Sequence, residues 1–183
     1  MDLRVKKTRR SITKAFLELR AKKPIEKISV KELTEAAEIN KATFYLHYKD
    51  IYDLSEELEK EIIESIFSKI EHPDLIVTEP KLFIKELSEA FHAERDRIDI
   101  VFSTEREGLM IGTIEKKIKE LVYEKQPEYK GDMTANVVLT FLIKGGYYAF
   151  SENMGSDNEK LLKIVGDVTE RIAGDPKFLK RKE

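Results

Sequence analysis

Two helix-start signals follow one another within residues 29–48, and they leave that stretch few ways to fold. Ser29-Val30-Lys31-Glu32 has the form of a capping box, in which the Ser29 hydroxyl accepts from the Glu32 amide and the Glu32 carboxylate reaches back to the Ser29 amide. Ile28 before the cap and Leu33 after it have the spacing of a hydrophobic staple. A short helix over 30–37 follows. Glu38-Ile39-Asn40 then makes a tight turn, and Asn40 caps a second short helix over 41–48. Upstream, Ile12, Ala15, Phe16 and Leu19 fall at i, i+3, i+4 and i+7, a single apolar stripe that predicts a helix over 5–22. Pro24, just past it, cannot continue that helix.

The rest of the chain keeps the helical period. Asp50 caps a fourth helix from Ile51, with Asp53 well placed in its first turn. Leu54, Leu58, Ile62 and Ile66 step by four, and His72-Pro73 ends the run. Residues 72–80 read as a loop and as the region where domains part. Amphipathic segments follow near 81–93, 95–103, 106–125, 131–153 and 157–173. With 8 Gly and 5 Pro in 183 residues, few breakers interrupt them. The fold expected is all-α, with about nine helices. A three-helix helix-turn-helix domain occupies 1–50. A helical bundle occupies 51–183, with the helix at 51–71 as connector.

Charge is divided along the chain. Residues 1–50 hold 13 Lys/Arg and 7 Asp/Glu, a charge of +6, whereas residues 51–183 carry −8. A basic head on an acidic body suits a protein that offers one end to a polyanion. The second short helix has matching chemistry: Asn40, Lys41, Thr43, Tyr45, His47, Tyr48 and Lys49 crowd into ten residues. Lysine neutralises phosphate, and hydroxyls donate to phosphate oxygens. A helix of this size fits the major groove. Ala42 is small enough for close approach, and Phe44 is the expected core anchor, with Ile39, Leu33 and Phe16.

From Lys7 to Leu54 the chain resembles the N-terminal domain of the TetR family of bacterial transcriptional regulators. The matching residues are Ile12, Ala15, Phe16 and Leu19; then Ile28-Ser29-Val30, Leu33 and Ala36-Ala37; then the run Ile39 to Tyr48, and Leu54. Two positions depart from the family pattern. Glu38 stands where the turn usually has Gly, and Ile51 stands where the fourth helix usually begins with Lys, leaving Lys49 to take the phosphate contact. The resemblance implies phosphate contacts at Ser29 and Val30, and base edges facing Asn40, Lys41, Ala42 and Thr43. It implies phosphates or groove walls at Tyr45, His47, Tyr48 and Lys49, and backbone or minor groove near Arg4, Lys6 and Lys7. It further implies a homodimeric repressor on a palindromic operator, with an effector that is either a small molecule or a partner protein.

Segment 131–153 is apolar nearly all round in its middle, so it should be buried on several faces. In the family the last two helices pair between subunits. The resemblance therefore places Phe141, Leu142, Gly145, Gly146, Tyr148 and Ala149, with Leu161, Leu162, Ile164 and Val165, at a dimer interface; an ordinary core helix is the alternative. A ligand pocket between helices would draw on Phe83, Phe91, Phe102, Met110, Ile114, Tyr123 and Tyr147, each of which also suits plain core. Asp99, Glu105 and Glu107 would serve a basic ligand, or would simply be solvated.

No enzyme is expected. There is no Cys, and His47, His72 and His92 lack metal-ligand spacing. Gly108 and Gly112 follow no strand, and no nucleophile elbow occurs. No cofactor or metal is expected. No run approaches the roughly 20 apolar residues of a membrane span. The charged opening MDLRVKKTRR leads into no signal-peptide core, so the expected location is cytoplasmic.

Overall fold

The computed structural model describes residues 3–102, 107–153, 155, 158–175, 177 and 179, with the side chain of Glu107 excepted. Among the described residues there are ten α-helices, two 3₁₀ turns and no strand. The helices are α1 (Leu3–Arg20), α2 (Val30–Ala36), α3 (Lys41–Tyr45), α4 (Ile51–Ser68), α5 (Leu75–Thr78), α6 (Pro80–Ala93), α7 (Arg95–Val101), α8 (Glu107–Lys125), α9 (Met133–Asn153) and α10 (Asn158–Gly174). The 3₁₀ turns are Ile25–Lys27 and Pro127–Tyr129. The one-turn α5 lies inside the stretch read from sequence as a plain loop. Its residues Leu75-Ile76-Val77-Thr78 are too few to display a helical period.

The chain forms two compact units: residues 1–64 with 94–106, and residues 65–93 with 107–183. The first gathers its core from the stripe on α1, from Leu33 on α2 and Phe44 on α3, and from Ile51, Leu54 and Leu58 on α4. Ile12, Phe16, Leu33, Phe44 and Leu54 are fully buried there. Ile28 and Leu33, the staple pair, share this core, and Ile39 packs against it. Each short helix is held by its cap, because four N-terminal amides of any helix lack internal partners. The Ser29 hydroxyl accepts from the Glu32 amide at 3.2 Å, and Asn40 Oδ1 accepts from the Thr43 amide at 2.7 Å. At the start of α4, Asp50 accepts from the Asp53 amide and Asp53 from the Lys49 amide, both at 2.8 Å.

In the second unit, α6 packs on α10, and α8 and α10 pack on α9. Pro80 opens α6 at a position whose amide would have no helical partner anyway. Val122, Tyr129, Ala135, Val138, Leu139 and Ala173 form one core cluster. The close approach in this unit is at Gly166, where a Cβ would meet Lys81 Cγ at 2.8 Å. Lys81 lies across the bare backbone and pairs with Asp167 and, at 3.7 Å, with Glu170. Within the chain, a Cβ on Gly145 would meet nothing, and one on Gly146 would make ordinary contact with Val165.

Candidate nucleic-acid interface

The geometry of α2, the turn and α3 follows from one residue in an unusual conformation. Glu38 has φ of 55°, the sole positive φ at a non-glycine position among the described residues. The Ile39 amide donates back to the Thr34 carbonyl at 3.0 Å, and the Glu38 amide to Glu35 at 3.2 Å. This pairing closes a helix end in the Schellman manner, which reverses the chain within two residues. Ile39 then packs, half-buried, against the core and Asn40 starts α3 at once. The turn therefore adopts the left-handed geometry that glycine serves most easily, with glutamate in its place.

The helix so positioned has two sides. Phe44 is fully buried and Tyr48 is 3% exposed, and their rings stand 5.8 Å apart. Lys41, Ala42, Tyr45, Leu46 and Lys49 are exposed, while Thr43 and His47 are half-buried. Asn40 Oδ1 accepts from the Thr43 hydroxyl (2.9 Å) as well as its amide, so these two side chains brace each other at the helix start. Ser29 is exposed and Val30 half-buried at the start of α2. Arg4, Lys6 and Lys7 are exposed on the first turns of α1. Tyr48, which sequence reasoning put with the phosphate contacts, sits in the core instead.

Arg9 is a residue sequence reasoning passed over. Its guanidinium lies over the Tyr48 ring, 5.5 Å from the centroid, and pairs with Glu57 and, at 3.4 Å, with Glu61 on α4. Burial raises the Tyr48 phenol above its usual range, and the Arg9 charge opposes that only in part. One side chain of α1 thus ties the end of the α3 segment to α4. The signal for it was absent because Arg9, Tyr48 and Glu57 share no periodic relation in sequence.

The residues expected to form a pocket are largely packed. Phe83, Met110 and Ile114 are buried in the second unit, and Phe91, Tyr123 and Tyr147 are half-buried there. Phe102, also buried, belongs to the first unit. An open groove in the second unit is lined by Glu115, Lys116, Lys119, Glu120, Tyr123, Glu124, Lys130 and Asn136, with Gly112. Tyr123 is the one expected residue in it, and most of the side chains that line it are charged. Asp99 is exposed and pairs with Arg95 at 2.8 Å, while Glu105 lies outside the described residues, as does the side chain of Glu107.

Beside this groove runs a polar seam that joins α8 to α9. Glu115 Oε1 accepts from Lys119 Nζ at 2.7 Å and from the Thr140 hydroxyl at 2.6 Å, and Glu115 Oε2 faces Lys144 Nζ at 3.2 Å. Lys119 also donates to Asn136 at 2.7 Å. Burial pushes the Glu115 carboxyl up, but hydrogen bonds from Lys119, Thr140 and Lys144 overcome it and hold the group at about 2. The sequence signal was present, since Asn136, Thr140 and Lys144 step by four along one side of a helix read as apolar nearly all round.

Within the single chain, α9 is covered only in part. Ala135, Val138 and Leu139 are buried, yet Met133, Val137 and Phe141 are 79%, 59% and 66% exposed, and Tyr148 is 42% exposed. On α10, Ile164 and Val168 are exposed, Leu161 and Leu162 half-buried, and Val165 buried within the unit. Leu142 packs against the core cluster, Gly145 is exposed, and Gly146 and Ala149 are half-buried. Met133, Val137 and Val168 were not among the expected interface residues.

Among the described residues, no group of three or more His, Asp or Glu could hold a metal ion, and no helix is long and apolar enough to cross a membrane. A capped helix, a left-handed turn and a second capped helix with a basic outward face define a helix-turn-helix unit of the kind that reads DNA. Residues 12–58 match the family model described as "Bacterial regulatory proteins, tetR family", which supports a TetR-family transcriptional regulator. Searches of curated proteins and of solved structures returned no match.

Proposed function

We propose that the protein is a homodimeric repressor that binds a palindromic operator through α3 and is released when an effector acts on its second unit. The observation that carries DNA reading is the outward side of α3 and the turn after it, where Lys41, Ala42, Tyr45 and, past the helix end, Lys49 are in solvent while Phe44 and Tyr48 hold the segment from behind. Lys49 is assigned to a phosphate, and Lys41, which the family resemblance sets among the residues facing base edges, is assigned to a flanking phosphate as well. Asn40, Ala42 and Thr43 face base edges, and Ser29, Val30 and the basic start of α1 meet the flanking backbone.

Dimerisation is supported by the exposed stripe Met133, Val137, Phe141 and Tyr148 on α9 and by exposed Ile164 and Val168 on α10. A stripe of large apolar side chains left in solvent along one helix is uncommon on a monomer. Two reading helices in a two-fold dimer would address half-sites about one DNA turn apart. Because α4 runs as one helix out of the reading head, a change in its tilt would alter the spacing of the two heads.

The test is selection of genomic fragments by the purified protein. A palindromic consensus is expected. Enrichment of no sequence over input would overturn the reading. A second reading, in which the effector is a partner protein, is favoured by one observation: the groove on the second unit is open and charged, and the expected apolar linings are packed. An apolar inducer captured inside the second unit would count against it.

A further inference from the structure

Leu46 is 82% exposed, and it stands on the side of the α3 segment opposite Phe44 and Tyr48. At about 3.6 residues per turn, Ala42 lies one turn before it on the same side. The Leu46 amide donates to the Ala42 carbonyl at 3.2 Å, which confirms the stacking. An apolar ridge of two residues therefore crowns the outermost edge of the reading helix, rimmed by Lys41, Tyr45 and Lys49, all exposed. Leucine at this point contributes nothing to the unit's own core. The ridge is also far too small for a protein partner, since stable interfaces bury on the order of 1,000 Å² or more.

The surrounding charge selects the occupant. A basic rim with a narrow apolar crest complements the floor of a major groove, where phosphates flank base edges. The apolar feature those edges present is the thymine C5 methyl group. We propose that Leu46, with Ala42 beneath it, reads thymine methyl groups and so helps to set operator sequence. The proposal rests on the DNA-reading role given above to α3 and names what part of the duplex its apex recognises.

The experiment uses the full chain and the duplex it selects. Each thymine of a half-site is replaced singly by deoxyuridine, which removes the methyl group alone, and affinities are measured for wild type, Leu46→Ala and Leu46→Gln. The expected result is one or two positions at which wild type loses roughly three- to fivefold, the worth of one buried methyl group. Both variants should be indifferent to the same replacement. Binding to random duplex and its salt slope should be unchanged in all three, and so should the thermal midpoint, given the exposure of Leu46. If deoxyuridine is tolerated everywhere by wild type, or if its penalty persists in Leu46→Ala, the inference is overturned while DNA reading stands. If no duplex is selected at all, both fall together.

Discussion

At the scale of single residues, the turn at Glu38 is the place where the chain accepts strain. A side chain at φ of 55° costs about 1 kcal/mol that glycine would avoid, although glycine has more chain entropy to lose. Glu38→Gly should therefore stabilise the protein by about 0.5 kcal/mol, read as a rise of about 1–2 °C in thermal midpoint. A fall would mean that the glutamate side chain makes a compensating contact. Lys41 on α3 and Lys49 just beyond it make a separate prediction. Lys41→Ala combined with Lys49→Ala should flatten the dependence of log affinity on log salt by roughly one unit for each phosphate no longer neutralised. An unchanged slope would remove both lysines from the phosphate assignment.

At the scale of elements, two cross-helix ties can be tested. Removing Arg9 uncovers the Tyr48 ring and leaves Glu57 and Glu61 without their α1 partner. Arg9→Ala should cost about 1 kcal/mol, where Lys14→Ala, which breaks an exposed pair within α1, should cost close to nothing. Comparison of their denaturation midpoints decides it. The Glu115 seam gives a pH test. Its folded carboxyl titrates at about 2 against an ordinary value of 4.5, so its stabilisation is full above about 4.5 and is lost as pH falls towards 2. The stability gap between wild type and Glu115→Gln should accordingly shrink across that window. A gap that stays constant down to pH 2 would show that the seam does not titrate with folding.

Ties of this kind also show where sequence legibility ended. Caps and staples are local: Ser29, Asn40 and Asp50 announce their helices within four residues, and the structure places all three at helix starts. The apolar stripe of α1 reads equally directly, because a period is a property of one helix. Arg9 over Tyr48 and Lys81 across Gly166 depend on how separate helices are set side by side, and no single window holds both partners. Tyr48 illustrates the cost. Its residue type suits a phosphate contact, and only the three-dimensional packing of Phe44 beside it turns the ring inward. On α9 the composition was legible but the exposure was not, since apolar residues look alike whether they face a neighbour in the same chain or solvent.

At the scale of the whole molecule, the exposed stripe on α9 should decide the oligomeric state. Phe141→Glu places a charge where the proposed two-fold interface would bury an aromatic ring. It should convert a dimer into a monomer in sedimentation equilibrium, with helix content unchanged because the residue is 66% exposed. Operator affinity should fall more than tenfold with it. If the variant sediments as the wild type does, the interface lies elsewhere.

The placement of α7 has a practical side. Residues 94–106 belong to the compact unit of the reading head, and α7 packs on α1. Cutting the chain after residue 64 would yield a fragment whose α1 surface has lost its cover. The reader is therefore not a detachable N-terminal cassette. A chimera that hands it to a different sensor would have to carry two separated stretches of chain, and the grafted sensor would have to accept an interruption in its own sequence to let the second stretch return.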